Sequence, residues 1–103
     1  MRTIKLYKFL TERKKEFILS KQVLRCGTSI GANVREAVVA QSKADFYAKL
    51  HISLKEANET EYWLELLYES GYIDEKSFTS IYSDNKELLK ILTSIIKTKS
   101  NGD

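Results

Sequence analysis

Apolar residues recur along this chain at spacings of three and four, the period of α-helices, and nothing in it alternates as a strand ladder would. The pattern predicts four helices. The first covers about 3–10, with Ile4, Leu6, Tyr7, Phe9 and Leu10 as its apolar members. An isolated helix below about 12 residues is marginal in water, so this one must survive by packing. Residues 11–16, TERKKE, read as a charged connector. The second helix, about 17–41, carries one stripe of Leu19, Val23, Cys26, Ile30, Val34 and Ala37. It carries a second of Phe17, Leu24, Gly27, Gly31, Val34 and Val38. The third, about 43–70, has Phe46, Leu50, Ser53 or Leu54, Ala57, Leu64 and Leu67 on one stripe, with Tyr47, Ile52, Tyr62, Trp63 and Leu66 off it. The fourth, about 74–98, places Phe78, Ile81, Tyr82, Leu88, Leu89, Leu92, Ile95 and Ile96 at helical spacing.

The punctuation between these segments is chemical. Ser42 is placed to accept the backbone N–H of Asp45, and Asp45 sits where the helix dipole favours an acid. Gly71 stands where a left-handed residue ends a helix, with Tyr72 and Ile73 to close the accompanying apolar contact. Asp74 is a candidate N-cap for helix four. The tail at 99–103 is expected to be disordered. Short connections favour antiparallel neighbours, so residues 1–103 are expected to form one all-α domain, an up-down-up-down four-helix bundle.

Helices two and three carry apolar side chains on more faces than one small bundle can bury. A helix with a single buried stripe does not need the extra aromatics. The surplus predicts burial against other copies of the chain, with Gly27, Gly31, Asn33, Tyr62 and Trp63 as candidates for helix packing or an oligomer interface. Two glycines inside a helix cost about 1 kcal/mol each relative to alanine. Placed four apart on one face, they are expected to offset that by letting another backbone approach closely.

Composition adds a charge asymmetry. The net charge is +3, yet residues 1–35 hold nine Lys/Arg against two acids, while residues 36–75 hold three Lys against nine acids. A basic front half can bind a polyanion through counterion release. It can equally pair with the acidic middle of a neighbouring helix or subunit. Arg13, Lys14, Lys15, Lys21 and Arg25 are the candidates for nucleic-acid contact. One cysteine, Cys26, excludes an intramolecular disulfide framework and fits a reducing compartment. No apolar run approaches the roughly 20 residues a membrane span needs, and the first residues lack a signal-peptide cleavage site. The expectation is a cytoplasmic protein without membrane contact.

Catalytic and metal chemistry finds no footing. Di-iron bundles need Glu-x-x-His on two helices, and the sole histidine is His51, read as solvated or interfacial. Gly27 to Gly31 lacks both the Gly-Lys-Ser/Thr ending and the preceding strand of a phosphate loop. Cys26 has no histidine at helical spacing to activate it and reads as a small buried hydrophobe. Glu56, Glu59 and Glu61 cannot all face solvent. A buried unpaired carboxylate is costly, so a cross-helix ion pair with Arg25, Arg35 or Lys55 is expected, with Asn33 and Glu36 in the same network. Tyr62, Trp63 and Tyr68 could stack on bases but are expected to serve packing. No enzyme activity, metal or cofactor is expected.

Ser29-Ile30-Gly31-Ala32-Asn33 followed by Glu36-Ala37, then Asp45-Phe46, and Leu-Glu-Leu-Leu at 64–67 form a fairly specific set. Through these motifs residues 5–99 resemble the bacterial four-helix-bundle proteins first noticed as products of intervening sequences in 23S ribosomal RNA genes. The resemblance implies an up-down bundle assembled into a ring-like homopentamer, with no established enzyme activity. It also implies kinship with the accessory protein of diversity-generating retroelements, which contacts nucleic acid and a reverse transcriptase through basic surface. The partners implied are other copies of the chain, together with RNA or an RNA-associated protein. The alternative is a structural or adaptor protein whose partner is another protein. In one respect the chain departs from the family pattern: members usually have a longer first helix, whereas this sequence begins at Met1 inside it, so a truncated first helix is the expectation.

Overall fold

The structure, a computed structural model, describes residues 2–102, with side chains for residues 2–98. It is a four-helix bundle of α1 (Arg2–Glu12), α2 (Leu19–Val38), α3 (Lys43–Glu69) and α4 (Glu75–Gly102), and no strand occurs among the described residues. The bundle measures 48 × 21 × 18 Å. α3 is the central element: α2 packs on one side of it, α4 on another, and α1 lies against α2.

The helix boundaries follow local chemistry. Ser42 accepts the Asp45 N–H at 3.0 Å, as its placement predicts. Asp74 accepts the Ser77 N–H at 2.7 Å, and this bond, with help from the Ser77 hydroxyl, holds its carboxyl below the usual range. α3 ends in a Schellman motif. Gly71 has φ +82°, Tyr72 N–H reaches Leu67 O at 2.9 Å, and Gly71 N–H reaches Tyr68 O at 3.0 Å. α4 runs past its expected end to Gly102, since no glycine or proline interrupts it earlier. The disordered tail expected at 99–103 falls on Asp103 and on side chains outside the described residues.

The core is divided lengthwise. At one end Leu6, Leu10, Val23, Leu64, Leu67 and Ile73 are buried together. At the other, Ala37, Leu50 and Leu92 are buried, with Val34, Phe46, Leu54, Leu88 and Ile96 packed against them. Between the two lies a waist of small and polar groups. There Ser53 donates to Ile30 O at 3.0 Å, and Asn85 donates to Ala57 O at 2.9 Å. Both residues are buried, and these bonds supply the partners that their burial demands.

The first α2 stripe is the buried one. The second is only partly covered within the chain: Gly27 is buried and Leu24 and Val34 are half-buried, while Phe17, Gly31 and Val38 are exposed. On α3 the expected stripe is likewise inside, and Tyr47 joins it.

Candidate nucleic-acid interface

The connector between α1 and α2 is more ordered than a run of charges suggests. Lys14 N–H and Arg13 N–H both bond to Phe9 O, Glu16 N–H reaches Leu10 O at 2.9 Å, and Lys15 takes a left-handed φ of 54°. These contacts turn the Glu16 side chain inward, where it is 8% exposed. Its carboxylate accepts the backbone N–H groups of Ile18, Leu19 and Ser20 at 3.0, 3.0 and 2.7 Å. Ile18, the residue at the N-cap position, makes no side-chain cap, so Glu16 supplies it. Burial alone would raise the Glu16 pKa. The bonds from Leu19, Ser20 and Ile18 outweigh burial and hold it below the usual range. Sequence reasoning missed this cap. The signal available was an acid just ahead of an apolar run, the preferred charge at a helix N-terminus.

With Glu16 turned inward, the connector presents cations. Arg13, Lys14, Lys15 and Lys21 are exposed and form no ion pair among the described residues. The Lys14 ammonium lies 5.9 Å from the centre of the Phe9 ring. Glu12 is the exposed acid in this stretch.

Arg25 differs from the other four candidates. Its guanidinium pairs with both Glu56 (3.2 Å) and Glu59 on α3, so its charge is answered within the chain. This is the expected cross-helix pair, although its carboxylates are half-buried rather than buried. One Glu59 oxygen also accepts from the Cys26 thiol at 2.8 Å and the Trp63 indole at 3.1 Å. The thiol, the indole and Arg25 together hold the Glu59 carboxyl below its usual range. Burial, reinforced by the bond to Glu59, pushes the Cys26 thiol up to about 12, so it stays protonated near neutrality and is a poor nucleophile. Cys26, Glu56 and Glu59 place potential ligand atoms within 4.8 Å of one another. Arg25 already supplies the positive charge there.

Several expected members lie outside this cluster. Glu61 turns to α4, where Lys86 (2.7 Å) and the Tyr82 hydroxyl (2.6 Å) bind it and lower its pKa. Asn33 bonds back to Ser29 O at 2.9 Å, one turn earlier. Glu36 pairs with Lys49 at 3.8 Å. The sequence placed them in one network because they share helix faces, but the rotation of each helix about its axis sends them to different neighbours.

The glycine pair also divides. A Cβ on Gly27 would stand 2.5 Å from Thr3 Cγ2 and 2.7 Å from Thr3 Oγ1. The close approach is therefore that of a side chain on α1, not of another backbone, and it covers Gly27 inside its own chain. Gly31 has nothing within 4 Å of that position. It opens on a crevice of about 390 Å³ lined by Ile30, Val34, Leu64, Ile81 and Leu88. Tyr62 is exposed and packs edge-on to the partly buried Trp63, with ring centres 5.0 Å apart. Tyr68 stacks on Phe78 at 4.4 Å, a packing role as expected. His51 is exposed. No helix among the described residues is long and apolar enough to cross a membrane.

Comparison with known proteins agrees with this architecture. A family model described as "23S rRNA-intervening sequence protein" matches residues 1–94. A crystal structure from Bacteroides thetaiotaomicron VPI-5482, of a protein of unknown function from the S23 ribosomal protein family, superimposes with a TM-score of 0.92. It is 62% identical in sequence, over 94% of this chain and 87% of that one. No curated protein is significantly similar to the chain.

Proposed function

This chain belongs to the 23S rRNA-intervening sequence protein family, and we propose that it works as a non-enzymatic, homo-oligomeric bundle that binds RNA through the α1–α2 connector. The observation that carries the reading is the set of four exposed cations, Arg13, Lys14, Lys15 and Lys21, that form no ion pair among the described residues, beside an acid that is buried and spent on backbone N–H groups. Arg25 is not part of the proposed surface, because Glu56 and Glu59 hold it. The RNA-linked names of the family and of the S23 neighbour favour RNA over other polyanions.

The proposed helix arrangement is antiparallel. Cross-helix bonds support it, since α3 position rises as α2 position falls, from Ser53–Ile30 to Glu59–Cys26. The same descent relates α3 to α4 in Ala57–Asn85 and Glu61–Tyr82. Five copies in a ring are proposed, joined through apolar side chains that their own chain leaves uncovered: Val38, Val39, Ile52 and Tyr62. A ring repeats the cationic connector, so individually weak contacts gain through avidity. A cytoplasmic site of action fits an RNA partner.

Titration of labelled RNA across salt tests the reading. Four phosphate contacts per connector give a slope of about −3 in log affinity against log salt for a single strand, and Lys14→Glu with Lys15→Glu reduces both affinity and slope. Undetectable binding at low salt refutes it. A second reading, a protein adaptor without nucleic acid, is favoured by the exposure of Val38 (75%) and Val39 (74%) at the end of α2. A defined protein partner that survives nuclease and high salt would support that one.

A further inference from the structure

The stretch from Arg13 in the connector to Lys21 in the first turn of α2, whose four cations form no ion pair among the described residues, also displays an aromatic ring. Phe17 is 53% exposed and Ile18 75% exposed, directly after the inward-turned Glu16. Their exposure follows from the loop's construction. Left-handed Lys15, the Glu16 N–H bond to Leu10 O, and three backbone N–H groups gathered by the Glu16 carboxylate fix the chain on both sides of Phe17. The side chain that the helix start buries is the acid, and the large apolar one is left in water. Burying a phenylalanine is favourable; here the ring is instead held on an ordered turn among cations.

We propose that Phe17 is a base-stacking residue and that the connector therefore prefers single-stranded over duplex RNA. The inference rests on the RNA-binding reading and adds a substrate class to it. Cations that track a phosphate backbone, alternating with an exposed aromatic, are the recurring combination in proteins that bind single strands. A duplex keeps its bases stacked on one another and offers no free face to Phe17. Lys14 and Lys15 precede the ring by three and two residues and Lys21 follows it by four, so phosphates on either side of a stacked base have a cation to meet. An anionic membrane surface is a poorer fit. Surface-seeking helices immerse a whole apolar face, and here two side chains stand on one turn.

The test uses the full chain with fluorescently labelled oligouridine and a labelled blunt-ended RNA duplex of equal charge, read by anisotropy across a salt series. Phe17→Ala is expected to weaken oligouridine binding on the order of tenfold. Duplex affinity should stay within about twofold, and the salt slope should not change, because no charge is lost. Phe17→Trp should retain affinity and Phe17→Leu should not, since stacking needs a planar ring and simple apolar contact does not. Phe17 is exposed, so far-ultraviolet circular dichroism should confirm an intact fold in each variant. Equal losses on both RNAs, no loss with Phe17→Ala, or full retention with Phe17→Leu would overturn the stacking role while leaving the polyanion reading in place. Absence of binding to either RNA would overturn both. Binding to phosphatidylserine vesicles in that case would assign the turn to a membrane surface instead.

Discussion

Glu16 shows how much one side chain can organise. It stops a loop, starts a 20-residue helix and clears its own negative charge from a cationic surface. Its folded pKa lies below the ordinary value of 4.5, so the stabilisation it brings is complete above the unfolded carboxylate range. That stabilisation is lost as pH falls through the folded value. Glu16→Gln should cost about 1 kcal/mol at pH 7, and the difference from wild type should shrink at pH 3. Urea unfolding at both pH values checks this, and an equal difference at both would contradict it. The cap was illegible in sequence because its acid is two residues ahead of the N-cap position and reaches forward from a turn in which Lys15 has a left-handed backbone. Ser42, Gly71 and Asp74 were legible because each acts within its own turn. The Arg25 pair was legible too, since three glutamates within one stretch of α3 could not all face solvent, though Glu56 and Glu59 prove half-buried rather than buried. Glu61 was not, because Lys86 lies on another helix whose rotation no local pattern records.

At the scale of elements, the short α1 is held by few contacts: Leu6 and Leu10 in the core, Thr3 against Gly27, and Arg2 beside Ser80 and Asp84. Alanine in place of glycine adds about 1 kcal/mol of helix propensity. At Gly27 that gain is outweighed by the clash with Thr3, since overpacking costs about 1–3 kcal/mol. Gly27→Ala should therefore lower the melting temperature, and Thr3→Ala should restore most of the loss. Gly31→Ala meets open space and should raise the melting temperature. Thermal unfolding followed at 222 nm reads both, and a shared sign would contradict the assignment. Equal spacing made the two glycines look alike in sequence. Only the fold shows that Thr3 of α1 covers Gly27 while Gly31 faces open space among the described residues.

For the whole molecule, the account rests on side chains that no part of the same chain covers. Val38 and Val39 are three-quarters exposed, Ile52 and Tyr62 about half. Val38, Ile52 and Tyr62 were legible in sequence as a surplus of apolar faces, because burial capacity is set by the size of the bundle; Val39, off both α2 stripes, was not. Which faces the proposed assembly would cover depends on a geometry that a single sequence does not encode locally. Light scattering on the purified chain at micromolar concentration tests the claim most directly. Five copies of an 11.9 kDa chain should give a single species of about 60 kDa, whereas a stable particle of one chain's mass would contradict the assembly and with it the repeated cationic surface.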